Sequence, residues 1–362
     1  MPPRGLNVAP VVDAAAEPGR GAGEGYVSLS RFAKRARETM STSDFTMFAD
    51  VTDRGVIAGY TDATIPTTFD VLGYRRDTVD LARADGTGRG RDYRINATKL
   101  VPRVAEGADY DVHDVTDEYF NFTTYKYGWI DDITWEAYLA DNRDLGIITS
   151  EPMTWGRSAR YTQEYLWTAA WAANATYLKS DNGNKGTAAL TIEALEAAIA
   201  ALVTQSDPSS NVAAYAGPIF LVVPPQLAAT ARSIVNSTEI VLGGTAGAVT
   251  IRPSQNPVNN LATVVVNHFL PSLDTNTGDT GWYLFTDPRI RPAVRYGFLR
   301  GFEEPEVFIR DSDARALMGG TQDPFAGTFE RDAIRRKLRF TFGVNWVDYR
   351  GAYWSDGSDG SE

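Results

Sequence analysis

The most regular pattern in the chain is an alternation of apolar and polar side chains over residues 337–347. The apolar positions are Leu338, Phe340, Phe342, Val344 and Trp346. Successive side chains of a strand point to opposite faces of a sheet, so a repeat of two predicts a long β-strand with one buried face. Shorter strands are predicted at residues 281–286, 293–299 and 306–309.

A helical repeat of apolar residues predicts the longest helix over residues 151–177. Ser150 is placed to cap its N-terminus, and Pro152 would fall in the first turn, where proline is tolerated. The predicted apolar stripe consists of Trp155, Ala159, Leu166, Ala170, Ala173 and Tyr177. At 1.5 Å per residue the helix would be about 40 Å long. We expect it to be a spine on which other elements pack.

Helices and strands alternate after this spine, over residues 190–275. Thr191 is placed to cap a helix, and residues 218–223 form an apolar run typical of a buried strand. The apolar stripe of the capped helix consists of Ile192, Leu195, Ile199 and Leu202. Strands that alternate with helices predict an α/β lobe.

Residues 79–125 form a polar stretch that carries three closely spaced glycines, Gly86, Gly88 and Gly90. The pattern predicts a long two-stranded excursion with the glycines at its tip. Its two arms of about 20 residues would each reach about 65 Å at ~3.3 Å per residue. Because an isolated hairpin is marginally stable in water, we expect a neighbouring subunit to hold it.

The apolar phase changes within a strand predicted over residues 120–129. Phe122 belongs to one phase and Tyr125 to the other. One extra residue near Thr123 and Thr124 would correct the phase, so a β-bulge is predicted there.

Both ends of the chain have compositions unlike the rest. Residues 1–50 are predicted to be an N-terminal arm that contains one short amphipathic helix. The apolar residues of this helix are Leu29, Phe32, Ala33, Ala36 and Met40, and its basic residues are Arg31, Lys34, Arg35 and Arg37. Residues 351–362 are predicted to be an acidic C-terminal tail, and the acidic, small residues 355–362 are predicted to be disordered.

Composition narrows the function further. The formal net charge of −11 and the pI of about 4.8 argue against a dedicated nucleic-acid binder, but not against a protein that encloses nucleic acid. The chain has no cysteine, which excludes disulfides, thiolate metal sites and a cysteine nucleophile. No signal peptide and no apolar run of about 18 residues is present, so no membrane association is expected.

Motifs for catalysis or metal binding are incomplete. Neither His113 nor His268 has a second histidine at ligand spacing. The stretch 274–279 resembles a calcium loop but has Asp279 where the loop requires glycine. The acidic pairs at 131–132 and 303–304 are typical of a solvated surface. We therefore predict no catalytic residue, no cofactor and no metal.

Several stretches carry a family resemblance when taken together with the order of the predicted parts. They are 42–45 (TSDF), 48–50 (FAD), 58–60 (AGY), 101–107 (VPRVAEG), 125–133, 218–234 and 282–296. Over about residues 40–350 the chain resembles the Hong Kong ninety-seven-type major capsid proteins of tailed phages, and in particular the Mu-like branch of head proteins.

The resemblance implies an α+β fold with an N-arm, an extended E-loop hairpin, a P-domain with a long spine helix and long β-strands, and an α/β A-domain. The implied boundaries are 1–50 for the N-arm, 51–78 for the start of the P-domain, 79–125 for the E-loop, 126–189 for the P-domain with the spine helix, 190–275 for the A-domain, 276–350 for the return to the P-domain and 351–362 for the tail.

The resemblance also implies a structural protein, not an enzyme, that assembles into pentamers and hexamers of an icosahedral shell around double-stranded DNA. Its implied partners are further copies of itself, a scaffolding protein, a portal and a decoration protein. Only about forty residues precede the first resembling stretch, so a separate scaffold is expected. The shell would be part of the virion and would assemble in the host cytoplasm.

The candidate intersubunit contacts are Arg83, Arg89, Arg91, Lys99, Phe32 and Arg35. The three arginines of the excursion are expected to meet acidic groups on a neighbour. Two alternatives stay open: an encapsulin-like compartment of the same fold, and an acidic carbohydrate-active enzyme or lectin, which only the abundant aromatic and carboxylate residues favour.

Overall fold

A computed structural model describes most of the chain. It covers residues 52–81, 90–96, 101, 103–104, 106–107, 109–110, 116–134, 136–137, 147–205, 215–241, 253–310 and 331–358. The predicted helix at 29–40 lies outside these residues.

The described residues mix helices with mainly antiparallel sheets, which confirms the α+β class. The helices are α1 (52–60), α2 (Phe69–Leu72), α3 (Ile147–Trp171), α4 (Ile192–Val203), α5 (Ala228–Asn236) and α6 (Leu270–Leu273). The strands are β1 (Tyr74–Arg75), β2 (Gly90–Asn96), β3 (Thr116–Phe122), β4 (Tyr125–Thr134), β5 (Lys185–Gly186), β6 (Ile219–Val223), β7 (Glu239–Val241), β8 (Pro253–Gln255), β9 (Ala262–Val266), β10 (Trp282–Thr286), β11 (Val294–Gly297), β12 (Glu306–Ile309), β13 (Ala333–Trp346) and β14 (Ala352–Ser355).

The chain divides into two compact units. The first unit contains Met1–Gly55, Ile130–Pro152 and Val307–Lys337, and the second contains Val56–Trp129, Met153–Glu306 and Leu338–Glu362. Both large hydrophobic cores lie in the second unit.

The two cores of the second unit lie on opposite faces of one five-stranded sheet, whose order is β5-β14-β10-β6-β9. Trp282 and Leu284 of β10 pack with α4 and α5 in one core. Tyr283 and Phe285 alternate with them and pack against Trp171 of α3, at ring distances of 4.8 and 5.2 Å. Because both faces of β10 are buried, its sequence is a continuous apolar run.

This sheet joins strands from four of the predicted segments, 126–189, 190–275, 276–350 and 351–362. Strand β10 lies between β6 of the predicted α/β lobe and β14 of the predicted tail. The prediction of a tail from residue 351 is therefore wrong for Ala352–Ser355, where Trp354 is buried in the core. The acidic residues after 355 made the whole end of the chain resemble a tail. A strand of four residues has little signal of its own and can be recognised only from the strand with which it pairs.

The long helix is confirmed, but its bounds differ from the predicted 151–177. It spans Ile147–Trp171, so Ser150 and Pro152 lie inside it rather than at its start. It ends because Ala173 has a left-handed backbone with a φ of 47°, and the Ala173 N–H donates to the hydroxyl of Tyr283 at 3.0 Å.

The buried face of α3 also differs from the predicted stripe beyond Ala159. Its buried residues are Pro152, Trp155, Gly156, Ala159, Gln163, Glu164, Trp167, Thr168 and Trp171. Three of them are polar, and an apolar search pattern passes over polar residues that find hydrogen-bond partners inside the fold.

Helix α1 crosses α3 at two glycines, Gly59 and Gly156. A Cβ atom added to Gly156 would lie 2.5 Å from the backbone nitrogen of Tyr60 and nearer still to the carbonyl oxygen of Val56. The two backbones can approach this closely only because neither residue has a side chain.

The predicted long strand is confirmed as β13, which begins four residues earlier than expected. Leu338, Phe340, Phe342 and Trp346 are buried as the alternation predicted. Strand β13 pairs antiparallel with β11, and β4 and β12 also pair with it. The strand predicted at residues 306–309 is confirmed as β12.

Candidate intersubunit surface

The predicted excursion contains a separate two-stranded sheet formed by β2 and β3, which we call the ribbon. Its strands are antiparallel, with Gly90 opposite Phe122 and Asn96 opposite Thr116. The segment that joins them is therefore 97–115. The prediction that the glycines form the tip is wrong, because Gly90 begins β2 at the opposite end of the ribbon.

The predicted β-bulge is replaced by a break between two strands. Strand β3 ends at Phe122 and β4 begins at Tyr125, and each pairs with a different sheet. The phase change in the sequence therefore marks the point where the chain leaves the ribbon.

The end of the ribbon at Phe122 is anchored within the second unit. The Phe122 ring is buried, and the guanidinium of Arg295 lies 3.8 Å from its centroid. Arg295 is itself buried and donates from Nη2 to the carbonyl oxygen of Arg76 at 2.8 Å. Next to this contact the hydroxyls of Thr78 and Thr124 are 2.8 Å apart. A buried cation over a ring, with its hydrogen bonds satisfied, fixes the root of the ribbon.

Further from this root, Tyr119 and Asn121 are exposed and Phe120 is half-buried. Tyr119 is 61% exposed, and within the described residues no third strand pairs with either edge of the ribbon. Of the candidate contact residues, Arg91 lies in β2 opposite Asn121, while Arg83, Arg89, Lys99, Phe32 and Arg35 lie outside the described residues.

A buried polar cluster, which sequence reasoning missed, ties α3 to two other segments. Glu164 accepts from the backbone nitrogen of Thr68 at 2.8 Å, and so it caps the start of α2. Asn267, in the loop after β9, donates to Glu164 at 3.2 Å and to Thr168 at 2.7 Å. Burial raises the pKa of the Glu164 carboxyl, although the hydrogen bonds oppose this shift.

An arginine cluster, also missed from sequence, lies in the first unit. Arg336 is fully buried in β13 and donates to Asp131 at 2.6 Å and to Glu151. The neighbouring Arg335 is exposed and forms a two-bond ion pair with Asp132, whose pKa is lowered mainly by this hydrogen bond. The alternation of buried and exposed side chains in β13, extended back to residue 336, places Arg336 on the buried face. This extension is the sequence signal that could have identified the cluster.

The residues of the incomplete catalytic and metal-binding motifs serve ordinary structural roles or lie apart from one another. The Asp274 carboxylate accepts from the backbone nitrogens of Asn276 and Thr277, each at 3.1 Å. The segment that resembles a calcium loop is therefore an ordinary turn. His268 is exposed, and His113 lies outside the described residues. Across the residues that the structure covers, no group of three or more acidic or histidine side chains could hold a metal ion.

None of the described helices is long and apolar enough to cross a membrane.

Comparison with known proteins gives the class. A family model described as phage capsid protein matches residues 118–355, which is more than half of the chain. The chain belongs to this phage capsid family. Its role is the structural one of a major capsid protein, and its place is the capsid of the virion. No curated protein matches the chain in sequence.

Solved structures with a similar fold share little sequence with the chain. The capsid of the cyanophage P-SCSP1u is 12% identical, with a TM-score of 0.49 over 80% of this chain and 87% of that one. A chain of Mycobacterium phage Che8 is 13% identical, with a TM-score of 0.46 over 81% and 92%. A virus-like particle from Pyrococcus furiosus is 12% identical, with a TM-score of 0.42 over 85% and 99%.

Proposed function

We propose that the chain is the major head subunit of a tailed phage and assembles into pentamers and hexamers of an icosahedral shell that encloses double-stranded DNA. The resemblance of the sequence stretches quoted above supports, as part of this proposal, the Mu-like branch of the Hong Kong ninety-seven-type proteins. In this assignment the ribbon belongs to the E-loop, α3 is the spine helix of the P-domain, and residues 190–275 are the A-domain.

The observation that carries the proposal is the ribbon. Two strands of seven residues each are marginal in water, and this pair is anchored at Phe122 while Tyr119 stays exposed. Open strand edges invite pairing with another chain, which a shell subunit uses and a monomeric protein avoids. Copies of the same chain are the partners that would cover the ribbon.

The net charge of −11 fits a shell that surrounds DNA without adhering to it, since binding to phosphates requires a basic surface. The further partners in this proposal are a scaffolding protein, a portal and a decoration protein, and assembly takes place in the host cytoplasm. The subunit itself has no catalytic activity and requires no cofactor.

Expression of the full chain, alone and together with a scaffolding protein encoded beside it, tests this function. We expect rings, tubes or shells in negative-stain microscopy and fast sedimentation in the ultracentrifuge. A monomer at high concentration under both conditions would contradict the proposal. Neighbouring terminase and portal genes favour a phage over an encapsulin-like compartment, and sugar hydrolysis or binding would instead favour the carbohydrate-active alternative.

A further inference from the structure

Asparagine is followed by glycine once in the chain, at Asn182 and Gly183. This pair is prone to deamidation, because glycine has no side chain to hinder attack by its backbone nitrogen. In the reaction the Gly183 nitrogen gives up its proton to solvent and bonds to Cγ of Asn182, and Nδ2 leaves as ammonia. Water then opens the resulting five-membered ring at either carbonyl, so the product is aspartate or isoaspartate.

The backbone holds this pair in a conformation that keeps the two reacting atoms apart. Ser180–Asn182 form a 3-10 helical turn, and Gly183 follows with a left-handed φ of 66°. The Asn182 N–H donates to Lys179 O at 3.1 Å, and the Gly183 N–H donates to Ser180 O at 2.9 Å. Because the attacking nitrogen is already bonded within the turn, it can reach Cγ only after the turn opens.

Side-chain hydrogen bonds add two further restraints on the pair. Asn182 is half-buried, and its Nδ2, the leaving group, donates to the carbonyl oxygen of Tyr177 at 2.9 Å. Gln205, which follows α4, donates from Nε2 to the carbonyl oxygen of Asn182 at 2.9 Å. These bonds stabilise the closed turn, so the rate of deamidation measures how often the turn opens.

The next asparagine gives the reaction a structural consequence. Asn184 is fully buried, and its Nδ2 donates to Tyr177 O at 3.0 Å and to Tyr349 O at 2.9 Å. Its carbonyl oxygen accepts from the Trp354 N–H at 2.9 Å, where the pairing of β5 with β14 starts. Isoaspartate adds one carbon to the backbone at residue 182, which displaces Asn184 from these partners.

We propose that Asn182 is a deamidation site that the folded turn protects, and that its conversion loosens the attachment of β5 to β14. The reaction consumes only water, and it proceeds from the open state of the turn. Modification therefore weakens the same structure that slows it. The site goes beyond the proposed function and does not depend on it, because every group that protects Asn182 belongs to the same chain.

Peptide mapping by mass spectrometry, during incubation of the full chain in mildly alkaline buffer, tests the site. We expect Asn182 to react at least about tenfold more slowly in the folded chain than in a free peptide of residues 178–187. Gln205→Ala should raise the rate in the folded chain about threefold, because one hydrogen bond to the turn is lost. The matched control Gln226→Ala, which removes a glutamine hydrogen bond elsewhere, should leave the rate unchanged.

The outcomes separate the site from its protection. Equal rates in the folded chain and the peptide, or no effect of Gln205→Ala, would overturn the protection by the turn. An Asn182 that stays unreacted in the chain unfolded in urea would overturn the site itself.

Hydrogen exchange on the deamidated full chain tests the structural consequence. The amides of Trp354 and Asp356 bond to the carbonyl oxygens of Asn184 and Gly186. We expect these two amides to exchange at least about threefold faster after conversion of Asn182, while the amides of β6, inside the same sheet, serve as the internal control. Unchanged exchange at Trp354 after complete conversion would overturn the loosening of β5.

Discussion

The crossing of α1 and α3 yields a prediction whose sign is opposite to that expected from helix propensity. Replacing a glycine inside a helix by alanine ordinarily stabilises the helix by about 0.8–1 kcal/mol. At Gly156 the new Cβ would lie 2.5 Å from Tyr60 N and 2.9 Å from Gly59 C. An ordinary contact of about 3.5 Å would require the two backbones to separate by roughly 1 Å at Tyr60 N, and by more at the carbonyl oxygen of Val56, which is nearer.

The atoms that block this Cβ belong to the backbone, so no side-chain rotation can relieve the clash. Overpacking costs about 1–3 kcal/mol, and a rigid obstacle places this site near the upper end. After subtraction of the propensity gain, Gly156→Ala should destabilise the protein by about 2 kcal/mol. That corresponds to a fall in Tm of about 4–8 °C for a domain of 150–250 residues.

Thermal unfolding followed by circular dichroism, together with the urea midpoint, measures this change. The control is Ala169→Gly at an exposed position of the same helix, which should lower stability by about 1 kcal/mol through propensity alone. A rise in Tm for Gly156→Ala would refute the close approach of the two helices.

Three further variants test other parts of the structure. Burial raises the pKa of Glu164, so the ionised carboxylate is disfavoured in the folded state. The contribution of Glu164 to the free energy of unfolding is therefore full below about pH 4.3, the usual pKa of the unfolded chain, and is lost as the pH rises through the folded pKa. The Tm difference between Glu164→Gln and the wild type should therefore move in favour of the variant between pH 4 and 8, and a constant difference would contradict the burial. Arg336→Met leaves two partly exposed carboxylates without their buried partner and should cost about 1–3 kcal/mol in urea unfolding, whereas the exposed Arg335→Met should leave the midpoint nearly unchanged. Phe122→Ala should cost about 3–5 kcal/mol and speed amide exchange in both strands of the ribbon, unlike Tyr119→Ala, and equal exchange in the two variants would argue against an anchored root.

The sequence predicted the elements that are marked by a regular repeat of apolar residues or by a cap close in sequence. Strand β13 follows from a repeat of two along the chain. The N-cap at Thr191 is confirmed by its hydrogen bond from Ala194 N at 3.1 Å, because capping involves residues close in sequence.

Features that depend on distant partners were not predictable in the same way. Glu164 is buried on α3 because Thr68 and Asn267, both far away in sequence, supply its donors. The strand Ala352–Ser355 exists because β10 pairs with it. The end of α3 depends on the hydroxyl of Tyr283, which lies outside the helix and leaves no signal in its apolar repeat.

The candidate intersubunit surface was predictable only in outline. Polar composition and the change of phase indicated an excursion that leaves the body of the protein. Arg295, which anchors its root over Phe122, lies 173 residues further along the chain, and no local signal marks it. The placement of Arg83, Arg89, Lys99, Phe32 and Arg35 at contacts between copies stays a prediction.

A cryo-electron microscopy reconstruction of the assembled particle tests the central claim most directly, because it shows which molecule each ribbon touches. We predict that strands Gly90–Asn96 and Thr116–Phe122 lie on an adjacent subunit and bury Tyr119 there. A ribbon folded back onto its own subunit, with Tyr119 still facing solvent in a closed particle, would contradict the account.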